Sequence, residues 1–198
     1  MKLSKIIISV TLLCICMSLK AQVTPQQEKE AAKEAKKEAK KLVKEGWKVP
    51  AGELSLEKQW AQSIIMRMEK DDEGQPKYVF GRAISGGDFY DAAKLQAMEV
   101  AKSELIGNMS TDITRLVNMK LQNKQKSARS ATSVSEIVAK SKSFMSQKLD
   151  NILPVLEIYR TNTDETVEVQ LLIAYERRSG INEALDSIDK ELEDEGIR

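Results

Sequence analysis

Histidine is missing from this chain altogether, and its two cysteines, Cys14 and Cys16, lie inside one apolar run near the N-terminus. If that run is removed, the remainder has neither thiol nor imidazole. Ser-His and Cys-His nucleophilic chemistry is then excluded, and so are ordinary structural zinc sites. No disulfide can form there either, although exported compartments permit them. Aromatic residues make up only 5% of the chain, so the stacking surfaces that sugar sites favour are scarce. Net charge is scarce as well. Removing Lys2, Lys5 and Lys20 from the formal +1 leaves the rest at −2, which gives no overall electrostatic pull toward nucleic acid.

The N-terminus is built like a secretory signal. Residues 1–5 are short and basic, 6–17 (IIISVTLLCICM) are mostly apolar, and Ala21 offers a small residue before Gln22. The run is shorter than the ~20 residues of a spanning helix. Cleavage after Ala21 is expected, leaving a mature chain with no transmembrane span, exported to the periplasm or associated with the outer membrane. Leu13 and Ile15 precede the two cysteines where a lipidation signal wants a small residue. Lipidation at Cys14 or Cys16 is the alternative to cleavage.

Of the 198 residues, 31% are charged and 41% hydrophobic, which suits one modest core with exposed helical surfaces. Five segments are expected: a signal over 1–21, a Glu/Ala/Lys-rich spacer helix over 22–46, a connector and amphipathic helix over 47–76, an α+β core over 77–178, and a C-terminal amphipathic helix over 179–198. The spacer repeats EAAK, EAKK, EAKK from Glu30 to Lys41. Its i,i+3 pairs are worth ~0.2–0.5 kcal/mol each. Its alanine seam is thin, so propensity rather than packing should hold it. A solvated spacer is the ordinary reading; a lysine stripe touching an anionic membrane or cell wall is the sharper one. Ser55 opens the next helix, whose apolar face is Leu56, Trp60 and Ile64 with Ala61, Ile65 and Met68 beside them.

In the core, 77–85 (KYVFGRAIS) reads as a strand, with Gly81 leaving a gap on one face, and Gly86-Gly87 as its break. Asp88 is placed to cap one long helix whose stripe runs from Leu95 through Met98, Ala101, Leu105, Met109 and Ile113 to Leu121. Residues 122–132 read as a linker, and Ser133 with Glu136 as the capping box of a further helix. Two strands follow, 152–160 and 166–176, the second alternating with Val167, Val169, Leu171, Ile173 and Tyr175 on one face. Ile181, Leu185, Ile188 and Leu192 then form a helical seam. The fold class expected is α+β: a small antiparallel sheet of about three strands, helices packed on one face, and an extended N-terminal helix.

The strand Tyr78-Val79-Phe80-Gly81, the Ala- and Leu-rich helix from Ala92 through Ala101 to Leu105, and the strand pair ending Ile173-Ala174-Tyr175 resemble the Lpp-twenty-like lipoprotein family. The resemblance spans about residues 77–177. It implies a small exported cell-envelope protein with an α/β domain and supplies no catalytic residues.

Candidate chemistry is sparse. Gly86, Gly87 and Asp88 form the best candidate ligand loop, because a Gly-rich turn before a helix can aim N–H groups at an anion. Asp88 and Asp91 oppose that, and the loop has neither the P-loop lysine nor the Rossmann spacing. Asp71-Asp72-Glu73 lacks EF-hand spacing and reads as a solvated turn. Asn108-Met109-Ser110 matches a glycosylation sequon by chance. No catalytic residue, metal ligand or cofactor is expected. The leading expectation is a non-enzymatic envelope protein that binds a protein partner or itself, with peripheral membrane or wall contact and no nucleic acid. The alternatives are a carboxylate-dependent hydrolase of envelope polysaccharide, which needs two acids facing across a cleft, and a small anionic-ligand binding module.

Overall fold

A computed structural model describes residues 23–123 and 131–194. The expected signal and the centre of the 122–132 linker lie outside the described residues. The described elements are α1 (Pro25–Lys44), α2 (Leu56–Met68), β1 (Tyr78–Gly87), α3 (Tyr90–Asn108), α4 (Ser110–Asn123), α5 (Ala131–Lys148), β2 (Leu153–Thr161), β3 (Val167–Glu176) and α6 (Arg177–Asp194). The class is α+β, with one antiparallel three-stranded sheet in the order β1-β3-β2.

Local chemistry sets most of the boundaries. Thr24 and Gln27 make a reciprocal capping box ahead of Pro25, which starts α1. Gly46, at φ +87°, releases the chain at the other end, and the Trp47 N–H returns to the Leu42 carbonyl. Ser55 caps α2 through the Lys58 N–H. The Asp71 carboxylate accepts the Glu73 and Gln75 amides and so closes the turn before β1.

The sheet carries helices on both faces, not one. On one side Val79, Ala83, Val169, Leu171 and Ile173 pack with α3, α4, α5 and α6. On the other, Leu156, Ile158, Leu172 and Ala174 pack with Ala39, Leu42, Trp47, Leu56 and Met66 from α1, α2 and their connector. The reason lies in β3, the central strand. Leu172 and Ala174 are as buried as the alternating set opposite them, so both faces must be covered.

That second layer also corrects the picture of a free spacer. Ala31 and Ala35 are fully buried, with Ala39 and Leu42 nearly so, and α1 lies against α2. Alanine lets two helices approach closely, so the thin seam is a packing surface. In α2 the buried stripe is Leu56, Gln59, Ser63 and Met66, rotated from the expected apolar face, and Met68 is exposed.

Three further expectations change. The single long helix is two, divided at the fully buried Met109, which caps α3. Leu95, expected in its core stripe, is largely exposed; Ala101 and Leu105 are buried as expected, and Ala93 and Ala97 join them. α5 starts at Ala131, two residues before the expected capping serine. In α6, Ile188 and Leu192 are buried and Ile181 and Leu185 pack beside them, so this seam docks on its own fold.

Candidate functional site

The expected ligand loop is mostly strand. Gly86 and Gly87 continue β1 and pair with Glu168 and Val167 of β3. Phe89, not Asp88, is the N-cap of α3, and it makes no side-chain cap bond. A Cβ on Gly87 would come within 2.9 Å of the Ala93 nitrogen, so this glycine lets α3 settle on the strand. Asp88 is exposed, one residue past the strand end.

The edges of the sheet are treated differently. Along β2, Tyr159 exchanges both backbone bonds with Lys48, at 2.8 and 2.9 Å. The buried Gln59 accepts the Glu157 N–H at 2.7 Å and donates to the Leu54 carbonyl at 2.7 Å. Arg160 holds Glu168 through Nε and Nη2, both at 2.7 Å, and lies over the Trp47 ring. The connector 47–54 and α2 therefore seal that side.

β1 is covered at two of its outward backbone groups. Glu104 accepts the Arg82 N–H at 3.1 Å, and Asn108 donates to the Phe80 carbonyl at 2.9 Å. That bond also occupies the amide of the sequon. These contacts show that even-numbered residues of β1 turn their backbone groups away from β3. Ile84 and Gly86 share that parity, and no described residue bonds their outward groups. Ile84 on this stretch and Phe89, two residues past the strand end, are each exposed to half or more.

One buried ionic cluster was not foreseen. Glu157 on β2, 8% exposed, accepts the Tyr90 hydroxyl, and Lys94 lies 2.6 Å from the same oxygen. Tyr90 meets the Tyr159 ring edge-on at 5.4 Å. Burial and then the bonded carboxylate push the Tyr90 hydroxyl well above its ordinary range. A tyrosine that keeps its proton is a donor, and its bond to Glu157 together with the Lys94 ion pair fastens α3 to β2. Tyr175 and Glu183 repeat the motif between β3 and α6, with the tyrosine pKa raised for the same causes. The second Glu183 oxygen and the Ser141 and Ser187 hydroxyls are buried without hydrogen-bond partners among the described residues.

Glu28, Glu69, Asp71, Asp72 and Glu176 line a hollow of about 550 Å³ beside Lys70, Lys77 and Arg178, and Lys77 pairs with Glu69 there at 3.3 Å. Glu53 and Glu157 share a hollow of about 40 Å³, room for a water or two. Asp112 is engaged by Arg177 at 2.7 Å and approached by Arg115 at 3.9 Å. With Asp71, Glu73 and Arg178 they line an open hollow of about 500 Å³ whose charges balance. No group of three or more metal-ligating side chains occurs among the described residues. No described helix is long and apolar enough to cross a membrane. Compared with known proteins, the chain matches no family model, no curated protein and no solved structure.

Proposed function

We propose that this is an exported cell-envelope protein that acts by binding a protein surface rather than by catalysis. Export is supported by the basic, apolar and small-residue order of residues 1–21. The envelope assignment also draws on the resemblance of residues 77–177 to the Lpp-twenty-like family. One observation carries the binding reading: at Ile84 and Gly86 β1 leaves hydrogen-bonding groups without partners among the described residues, with Ile84 and Phe89 exposed there. A strand edge of that kind is complementary to another extended backbone.

The test places a photo-crosslinking residue at position 84 and, as a control, at position 103, which is exposed on α3. Cells are fractionated and adducts identified by intact mass. Protein adducts from position 84 but not 103, in an envelope fraction, are expected. Recovery in the cytoplasm would overturn the export reading. Equal labelling at both positions, or none, would overturn the binding reading.

A further inference from the structure

We infer that the open end of β1 pairs with the same strand of a second copy, antiparallel, about a two-fold axis through Ser85. This rests on the binding reading above and names its partner. With the axis at Ser85, residue numbers on facing positions sum to 170, so Ile84 faces Gly86 of the second copy and Arg82 faces Asp88.

Three independent features of the edge fit that register. The first is hydrogen bonding. Beyond Arg82, Ile84 and Gly86 are the outward-facing strand residues with neither backbone group bonded among the described residues, and in antiparallel pairing each such pair exchanges two bonds. Four bonds form across the axis. The ladder then stops, because the next outward N–H, that of Arg82, is already held by Glu104.

The second is shape. Ile84 is half exposed on the sheet face that α1 and α2 leave open at this end. A Cβ built on Gly86 would meet only the Val167 carbonyl, at 3.9 Å, so open space stands above it. The isoleucine of each copy fits over the glycine of the other. The third is charge. Arg82 and Asp88 are exposed, and neither side chain has an ionic partner among the described residues. Two Arg82–Asp88 pairs form symmetrically, as a self-complementary two-fold contact requires. A foreign peptide could use the same backbone bonds, but it would have to reproduce both complementarities by chance.

The test uses the protein as recovered from the cells that make it, with Cys14→Ser and Cys16→Ser. Sedimentation equilibrium should show a concentration-dependent dimer. Arg82→Asp and Asp88→Arg should each raise its dissociation constant roughly tenfold or more, since two attractive pairs become repulsive. The double variant should restore the parent value, which a merely misfolded chain would not do. Separately, Ser85→Cys places two thiols on the axis at a non-hydrogen-bonded pair, with Cα atoms about 4.5 Å apart, within disulfide range. Mild oxidation should give twice the monomer mass, whereas Ser103→Cys should not. A monomer at every concentration, no rescue by the double variant, or equal cross-linking at 85 and 103 would each overturn the inference. An in-cell Ser85→Cys adduct of another mass would overturn self-pairing while leaving partner binding intact.

Discussion

Replacing Gly81 with alanine tests the packing of α3 on the sheet. A Cβ at this position would fall well inside contact distance of the Ala101 carbonyl oxygen, and 2.9 Å from both its carbonyl carbon and the Leu105 Cβ. The first two obstacles are helix backbone, so no side-chain rotation relieves them, and α3 must lift from β1. Overpacking costs about 1–3 kcal/mol, and backbone obstruction places this case at the upper end. Loss of glycine freedom in the unfolded chain returns up to about 1 kcal/mol. The net expectation is about 2 kcal/mol or more, a fall of roughly 4–8 °C in Tm for a chain of this size. Urea titration and thermal melting followed by circular dichroism read both quantities. Gly107→Ala is the matched control. It also lies beside α3's C-terminal end, but its Cβ would meet nothing within 4 Å, so a gain of about 0.5–1 kcal/mol is expected. If Gly81→Ala proved as stable as the parent, the close seating of α3 on β1 would be refuted.

Three other perturbations probe different layers. Ala35→Leu inserts a large side chain into the buried α1 seam and should cost about 1–3 kcal/mol by urea titration; a free spacer would not register it. Gln59→Ala strands the Glu157 N–H and the Leu54 carbonyl, with an expected loss of about 1–3 kcal/mol, and hydrogen exchange at Glu157 should rise. Tyr90 and Tyr175 hold their protons above the ordinary tyrosine value of 10.0. The unfolded chain gives up those protons first, so this contribution to stability is complete below about pH 10 and declines as pH rises beyond it. Denaturant midpoints across that range should fall in the parent and flatten in a Tyr90→Phe, Tyr175→Phe double variant.

Much of the fold could be read where one residue type did one job. Ser55 marked a helix start because its hydroxyl accepts an early amide. The alternation through Val169, Leu171 and Ile173 found β3 because each faces the larger core. Reading failed where small or polar residues were buried for reasons of proximity. Leu172 and Ala174 signalled a second covered face, but the helix that covers it buries alanines, and its neighbour buries Gln59 and Ser63. A hydrophobicity pattern assigns such residues to solvent. Leu95 was the opposite error, an apolar residue at helical spacing but on the outer side. At the candidate site, Gly86, Gly87 and Asp88 were singled out for a turn. Their placement on an open strand end depends on β3 pairing and on the caps from Glu104 and Asn108, which come from more than fifteen residues away in sequence. The Tyr90–Glu157 contact spans 67 residues, so no local pattern announces it.

The bond pair between Lys48 and Tyr159 has a consequence for growth. A sheet with two bare margins can add copies at both and lengthen without limit. Here the connector occupies one margin, so a chain that joins at the other leaves only occupied margins facing outward. Assembly by strand addition would therefore end at two copies, and a six-stranded sheet would be its largest product. Cutting the Lys48 tether, for example by placing proline there, would be the change most apt to turn a closed pair into a fibre.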